Sequence, residues 1–241
     1  MLRSILLALP VMTLAACAAR QAAPAFPPPL PAPSVALPGP GPGPSPTLEA
    51  SATTCDARPE RSFADPVAAR DLDTALLDRA ILFHTNRARC NAGLNPLMPD
   101  PGLRTVATGH SADMVRLGFF DHTSPVSGKT TVSDRLNRRG IRFRGAAENL
   151  ATSKRLAILS GQPVYPIPGQ RCGFSMTPRG PALPVRSYDA LARNLVDRWI
   201  DSPGHRRNLM NPSYTRHGAS GVIDPGARLC ESINATQLFA S

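Results

Sequence analysis

The residues best placed for chemistry lie in the stretch Trp199-Ile-Asp-Ser-Pro-Gly-His205-Arg-Arg-Asn-Leu-Met-Asn-Pro212. One helix ends there and another begins around a histidine. Ser202 suits the cap of the new helix, and Pro203 its first position, where a missing N–H costs nothing. His205 then falls in the first turn, near the positive end of the helix macrodipole, which favours neutral imidazole. Neutral imidazole is the form that coordinates a metal and the form that acts as a general base. The same spacing also describes a capped helix start whose histidine bonds a backbone carbonyl, and both readings stand at this point.

The elements that must position this histidine read as helices first and strands later. Leu72, Leu76, Ala80, Phe83 and Cys90 recur at helical spacing and mark a first helix that ends near Gly93. Asp100-Pro101 opens a second, with Leu103, Val106, His110, Met114 and Leu117 on one face and Gly118 closing it. His110 on that apolar stripe reads as a hydrogen-bonded core histidine. A short helix runs from Val132 to Arg139 and a longer one from Ser187 to about Asp201, burying Tyr188, Leu191, Leu195 and Trp199. Ala146 to Thr152, Thr215 to Ile223 and Arg228 to Phe239 read as strands, the last two joined by the turn Asp224-Pro-Gly. In the final strand Leu229, Ile233 and Phe239 share a face with Gln237. Ser160 to Arg186, rich in proline and glycine, reads as a long surface loop.

Upstream of these elements the chain carries an address. Arg3 precedes a short apolar run, Ile5 to Leu14, too short to span a bilayer as a helix. The run ends in Leu14-Ala15-Ala16-Cys17, which resembles the bacterial lipoprotein cleavage box. By that resemblance residues 1–16 are removed and Cys17 becomes the lipid-modified first residue. Each buried methylene adds roughly 0.8 kcal/mol, so several acyl chains hold the protein to a membrane surface. Ala18 follows the cysteine, and the absence of Asp there favours an outer-membrane over an inner-membrane address. The reading is a bacterial envelope protein, anchored by lipid and facing the periplasm or sitting in the outer membrane. Residues 17–54 form a Pro/Ala/Gly-rich linker whose prolines favour extended polyproline II. At about 3.1 Å per residue, roughly 30 such residues reach on the order of 90 Å.

Residues 55–241 are long enough for one domain with its own core. Cys55, Cys90, Cys172 and Cys230 form an even set in a chain expected to meet an oxidising compartment, so two disulfides are the default. Of three possible pairings the reading favours Cys55–Cys90, tying the N-terminal arm to the first helix, and Cys172–Cys230, tying the long loop to a late strand. A four-cysteine zinc site lacks any Cys-x-x-Cys pair to start it. The net charge of +10 comes almost wholly from arginine, since Lys129 and Lys154 are the two lysines. Export argues against nucleic acid as the partner and leaves anionic lipid or acidic wall polymers, or simply codon bias. The densest run, Arg135, Arg138, Arg139, Arg142 and Arg144, reads as a solvated helix end.

In this order the pieces resemble the CAP superfamily, the SCP/PR-1-like domain in its bacterial form, over about Leu72 to Phe239. The markers are Asn86-x-x-Arg89, Gly93-Leu94-x-Pro96-Leu97 and Ala107-x-x-His110-Ser111-x-Asp113-Met114. Phe120-Asp121-His122-Thr123-Ser124-Pro125, Asp134-Arg135-Leu136 and Glu148-Asn149-Leu150-Ala151 follow. Trp199-x-x-Ser202-Pro-Gly-His205-Arg206-x-Asn208-Leu209 and Gln237-Leu238-Phe239 complete the set. The resemblance implies an α+β fold, an α-β-α sandwich with a small, mostly antiparallel sheet between helical layers.

It also implies a cleft with two histidines and two acids that binds zinc in several members. By position His122 matches the first histidine, Glu148 the first acid and His205 the second histidine. Ser202 stands where the second acid belongs, with Asp201 beside it. Ala147 replaces a glycine and Ala235 an aromatic residue, which implies a more open site. Two imidazoles and a carboxylate suit an open zinc site that could activate water. A fold carries no reaction with it, and members of this superfamily are better described as binding modules. Three functions follow. One is an envelope binding module for a lipid, glycan or protein, with His122, Glu148 and His205 in its cleft. Another is a zinc-dependent hydrolase of envelope peptides or glycans with Glu148 catalytic. The third is a purely structural cleft. Neither the oligomeric state nor the ligand is readable from the residues.

Overall fold

The computed structural model describes residues 53–158, 161–227 and 231–241. Cys17, the linker up to residue 52, Leu229 and Cys230 lie outside the described residues. After a 3-10 turn at Arg61–Ala64, helix α1 spans Thr74–Asn91. It starts two residues later than Leu72 because Asp73 caps it, its carboxylate accepting from the amides of Ala75 and Leu76 at 2.9 Å. Helix α2 covers Pro101–Leu117, capped by Asp100 and closed by Gly118 at φ +68°. Helix α3 is Val132–Arg138, with a capping box between Thr131 and Asp134. Helices α4 (Tyr188–Asp201) and α5 (Pro203–Leu209) share Ser202 as their junction. Because that residue ends one helix while starting the next, its hydroxyl makes no capping hydrogen bond, contrary to the expectation from sequence.

The sheet has four strands, β1 (Met98–Pro99), β2 (Ala146–Lys154), β5 (Arg216–Asp224) and β6 (Ser232–Ala240), in the order β1-β5-β6-β2. Only β1–β5 is parallel; the other pairings are antiparallel. Strand β6 is buried along its whole length because helices cover both faces. Its alternation sorts the core. Ile233, Ala235 and Phe239 pack with Leu77, Ile81, Leu191, Leu195 and Trp199 of α1 and α4. Leu238 and Ala240 pack with Leu103, Val106 and Ala107 of α2 and with Leu136 of α3. The α+β sandwich, with a small, mostly antiparallel sheet between helices, is therefore the observed architecture. Three short features escaped the sequence. Strand β1 has two residues, and the proline-rich insert carries a hairpin, β3 (Tyr165–Pro166) with β4 (Phe174–Ser175).

A disulfide joins Cys55 to Cys90 across a separation of 35 residues, as expected, and fixes the N-terminal arm on α1. In the chain-entropy picture such a loop contributes roughly 3–4 kcal/mol. Cys172 is also disulfide-bonded. Two of the family markers act as staples. Asn86 exchanges both side-chain hydrogen bonds with the backbone of Leu97, at 3.0 and 2.7 Å. Arg89, 1 % exposed, donates to the carbonyls of Asn95, Leu209 and Asn211, pinning the end of α5 to α1.

Ala235 does not open a cleft. It sits fully buried in a cross-strand row with Ala151 and Gly221, where α1 approaches the sheet closely. A Cβ at Gly221 would meet Leu77 at 3.1 Å and Ile233 at 2.7 Å. The opposite face is tighter, for a Cβ at Gly218 would stand 2.3 Å from the backbone nitrogen of Arg104 in α2. Backbone cannot yield as a side chain can. Gly218→Ala is expected to lower stability by about 1–3 kcal/mol, read as a shifted urea midpoint with unchanged slope.

Candidate functional site

Strand β2 is an edge strand, and two consecutive residues on it, Glu148 and Asn149, project to opposite faces. Glu148 points toward α2 and α3, where its side chain is 1 % exposed. One carboxylate oxygen accepts from Arg135 Nη2 at 2.6 Å, and the other meets His122 Nδ1 at 2.9 Å. His110 Nε2 stands 3.8 Å from that second oxygen and bonds the carbonyl of Asp121 at 3.1 Å. His110 is thus the buried, hydrogen-bonded histidine expected, placed against the acid.

Arg135 departs from expectation. It is not part of a solvated helix end but 4 % exposed, facing inward from α3. Besides Glu148, its Nη1 donates to the carbonyls of His122 at 3.2 Å and Lys129 at 3.1 Å. The guanidinium therefore ties the whole loop between α2 and α3, His122 included, to β2. The rest of the run, Arg138, Arg139, Arg142 and Arg144, is at or near the surface.

On the other face Asn149 Nδ2 donates to the backbone carbonyl of His205 at 3.2 Å and to Gln237 Oε1 at 3.1 Å. Asn208 of α5 donates to Asn149 Oδ1 at 2.9 Å and to the carbonyl of Glu148 at 3.2 Å. Gln237 in turn donates to Thr85 of α1 at 2.9 Å. This chain of amides seats α5 on the strand and brings the His205 ring to 6.4 Å, centroid to centroid, from that of His122. Asp201, the alternative second acid, is exposed and makes no ion pair with this group among the described residues.

The two neighbouring rings, tilted by 53°, are shifted in opposite directions. The hydrogen bond to Glu148 is the main cause that holds His122 above its ordinary value, against partial burial. His205 is pushed below its ordinary value by burial first and by the neighbouring His122 second, so the neutral form expected at the helix start has a different principal cause. His110 is lowered too, chiefly by burial. Over the pH range between the His122 and His205 midpoints, His122 therefore carries the proton and His205 is neutral.

A three-ligand zinc site does not fit these residues as they are folded. Both Glu148 oxygens are engaged, one by a guanidinium that opposes a second cation, and His122 spends Nδ1 on the same carboxylate. Among the described residues no three His, Cys, Asp or Glu side chains are grouped to hold a metal ion. Glu148 spends its oxygens on orienting His122 and on the guanidinium of Arg135.

The family profile of CAP, the cysteine-rich secretory protein family, matches residues 82–228, which span His122, Glu148 and His205. The chain belongs to this family. It is similar to the uncharacterized protein YkwD of Bacillus subtilis, 29 % identical over 150 residues that make up 62 % of this chain and 44 % of that one. It is similar also to the uncharacterized membrane protein YlbC of the same organism, 30 % identical over 141 residues, 58 % of this chain and 30 % of that one. The match thus spans less than half the length of either relative. Among solved structures, an extracellular protein containing a SCP domain from Bacillus anthracis is 26 % identical, with a TM-score of 0.47, covering 69 % of this chain and 41 % of that one.

Arg135 was hidden in the sequence by its company, since five arginines within ten residues look alike. The one signal was its place beside Leu136 in a marker triplet. Removing it by Arg135→Ala leaves a buried carboxylate with half its partners and should cost about 3–5 kcal/mol. Nuclear magnetic resonance titration should place the His122 midpoint above 6.5 and that of His205 below it, and Glu148→Gln should return His122 toward its ordinary value. Because folding raises the proton affinity of His122, its contribution to stability is complete below about pH 6.5, the unfolded value, and is lost as pH rises through the folded value.

Proposed function

We propose that the protein is an exported binding module of the bacterial envelope, held to a membrane surface by lipid on Cys17, with His122 and His205 forming the ligand contact. The family description as secretory, the disulfide Cys55–Cys90 and the apolar leader before Cys17 support export. One observation carries the site. A buried Arg135–Glu148 pair is used to aim one exposed imidazole, whose side chain is 53 % exposed, at a second. Such an investment in fixing a solvent-facing ring is the mark of a contact surface.

The chemistry of the pair suits a hydroxyl- or amide-bearing ligand, a glycan or peptide, because two neighbouring imidazoles offer both donor and acceptor nitrogens. Both oxygens of Glu148 are engaged and its side chain is enclosed, so the arrangement favours binding over a general-base role in hydrolysis. A purely structural role would leave the two rings without consequence for any ligand.

The test uses the purified chain with soluble peptidoglycan fragments, which carry both glycan and peptide, as the probe. Affinity should fall tenfold or more in His122→Ala and in His205→Ala; His205→Ala should melt near the parent, whereas His122→Ala, which takes one partner from the buried Glu148, should melt lower while remaining folded at the assay temperature. Equal affinity in parent and variants would sink the assignment of the cleft. Folded protein with no binding to the fragments by any form would remove envelope polymer as the ligand.

A further inference from the structure

Behind Glu148 the same wall of side chains borders a second space. A cavity of about 290 Å³ lies between α2 and α3, lined by Gly109 and His110 on one side and by Lys129, Arg135, Arg138 and Arg139 on the other. That volume stands at the small end of small-molecule sites. His122, Glu148 and His205 do not line it, nor does any acidic side chain. Lys129 is neutralised by Asp113 at 3.0 Å and Arg135 by Glu148 at 2.6 Å. Arg138 and Arg139 make no ion pair among the described residues, so the cavity carries uncompensated positive charge.

Two of its wall residues are short of partners. Arg135 Nε and His110 Nδ1 are buried and make no hydrogen bond among the described residues. His110 is 1 % and Arg135 4 % exposed, so neither atom has bulk water to turn to. His110 Nε2 faces the carbonyl of Asp121 and so carries the ring proton, which leaves Nδ1 as an acceptor. The wall therefore lacks an acceptor for one nitrogen and a donor for the other. Both atoms are closed off from the cavity space itself, so a phosphate held there is met by the guanidinium groups of Arg138 and Arg139, which are exposed and without an ion-pair partner among the described residues.

The cavity is also kept open by a residue that the helix would not otherwise choose. Gly109 lies inside α2, where glycine weakens a helix, and a Cβ there would meet nothing within 4 Å. A Cβ added at this position on the cavity wall therefore has open space before it.

We infer that the cavity between α2 and α3 is a phosphate-binding site, taking the phosphate group of a soluble monoester or of a lipid headgroup. The two sources share the chemistry that the arginines recognise and differ in whether a membrane must be present. The site is separate from the His122–His205 cleft and stands or falls without it.

The full chain is titrated calorimetrically with inorganic phosphate, and its preference for phosphatidylglycerol over phosphatidylcholine vesicles is measured in parallel. Gly109→Met fills the cavity at constant net charge, whereas Arg138→Gln/Arg139→Gln removes the free cations. Both variants should lose phosphate affinity by tenfold or more, while Gly109→Met melts no lower than the parent. If only the vesicle preference is lost in Gly109→Met, the group is read on a lipid headgroup. Should Gly109→Met melt lower, Thr105→Leu on the same wall takes its place. Phosphate affinity and vesicle preference that are equal in the parent and the filled-cavity variant would reduce both to general charge attraction and overturn the site. So would the absence of both in the parent.

Discussion

The buried pair between Arg135 and Glu148 is the interaction on which the rest of the site depends. Taking both charges out of water costs several kcal/mol each, and their mutual attraction offsets this only when the remaining donors and acceptors are also satisfied. Arg135 meets most of that condition by spending its other terminal nitrogen on the carbonyls of His122 and Lys129, and Glu148 by turning its second oxygen to His122. At His122 the loop between α2 and α3 has little surface of its own to bury, for Asp121, His122 and Thr123 are all exposed and the nearest apolar anchor is Phe119 against His110. The guanidinium supplies the link from the carbonyls of this loop to the acid on the strand. A hydrophobic pair of equal volume would restore stability there, yet it would bond none of these carbonyls and leave His122 unaimed.

The period of two along a strand turns this local pairing into a cleft. Glu148 and Asn149 are neighbours in sequence but face opposite layers. One holds the loop that bears His122, and the other, through Asn208 and the carbonyl of His205, holds α5. Because β2 is the outer strand, no further strand stands between the two layers at this margin, and the two rings approach each other beside it. A slip of one residue in the pairing of β2 with β6 would exchange the faces of Glu148 and Asn149 and separate both histidines from their supports. The register is secured by the alternation of β2 itself, which gives Ala147 and Ala151 to the core under α1 and α4 and Ala146 to the core under α2 and α3, so that a slip would turn each toward the wrong one.

What was legible in the sequence follows from the strength of each local signal. Helices α1 and α2 carry acidic caps, a proline start and glycine stops, and their extents were readable to within two residues. Strands β5 and β6 announced themselves by their turn and alternation. The two-residue β1 and the β3–β4 hairpin are too short for any period to register. His122 and Glu148 were placed by resemblance alone, since nothing in their local spacing brings residues 26 apart into contact. Ala235 misled for a related reason. A small residue where an aromatic is usual looks like an opened cleft, yet tertiary packing made it part of a row of small side chains under α1. Neither the partner of Glu148 nor the amide chain through Asn149 could be derived without the fold, because each depends on which face of a strand meets which helix.

The arginine-rich composition has two physical meanings that a count cannot separate. Arg138 and Arg139 are exposed and act as charge, whereas Arg89 and Arg135 are buried and act as multidentate hydrogen-bond donors. A guanidinium presents five donors in a fixed plane, so a single side chain can satisfy several carbonyls on segments distant in sequence. Arg89 does this for the loop at Asn95 and the end of α5, and Arg135 for the His122 loop and the strand. Lysine at either position would keep the charge but gather its donors at a single point, unable to reach both sides of the junction. The two functions of arginine therefore predict opposite tolerances: exchange for lysine should be mild at Arg138 and Arg139 and disruptive at Arg89 and Arg135, although all four carry the same charge.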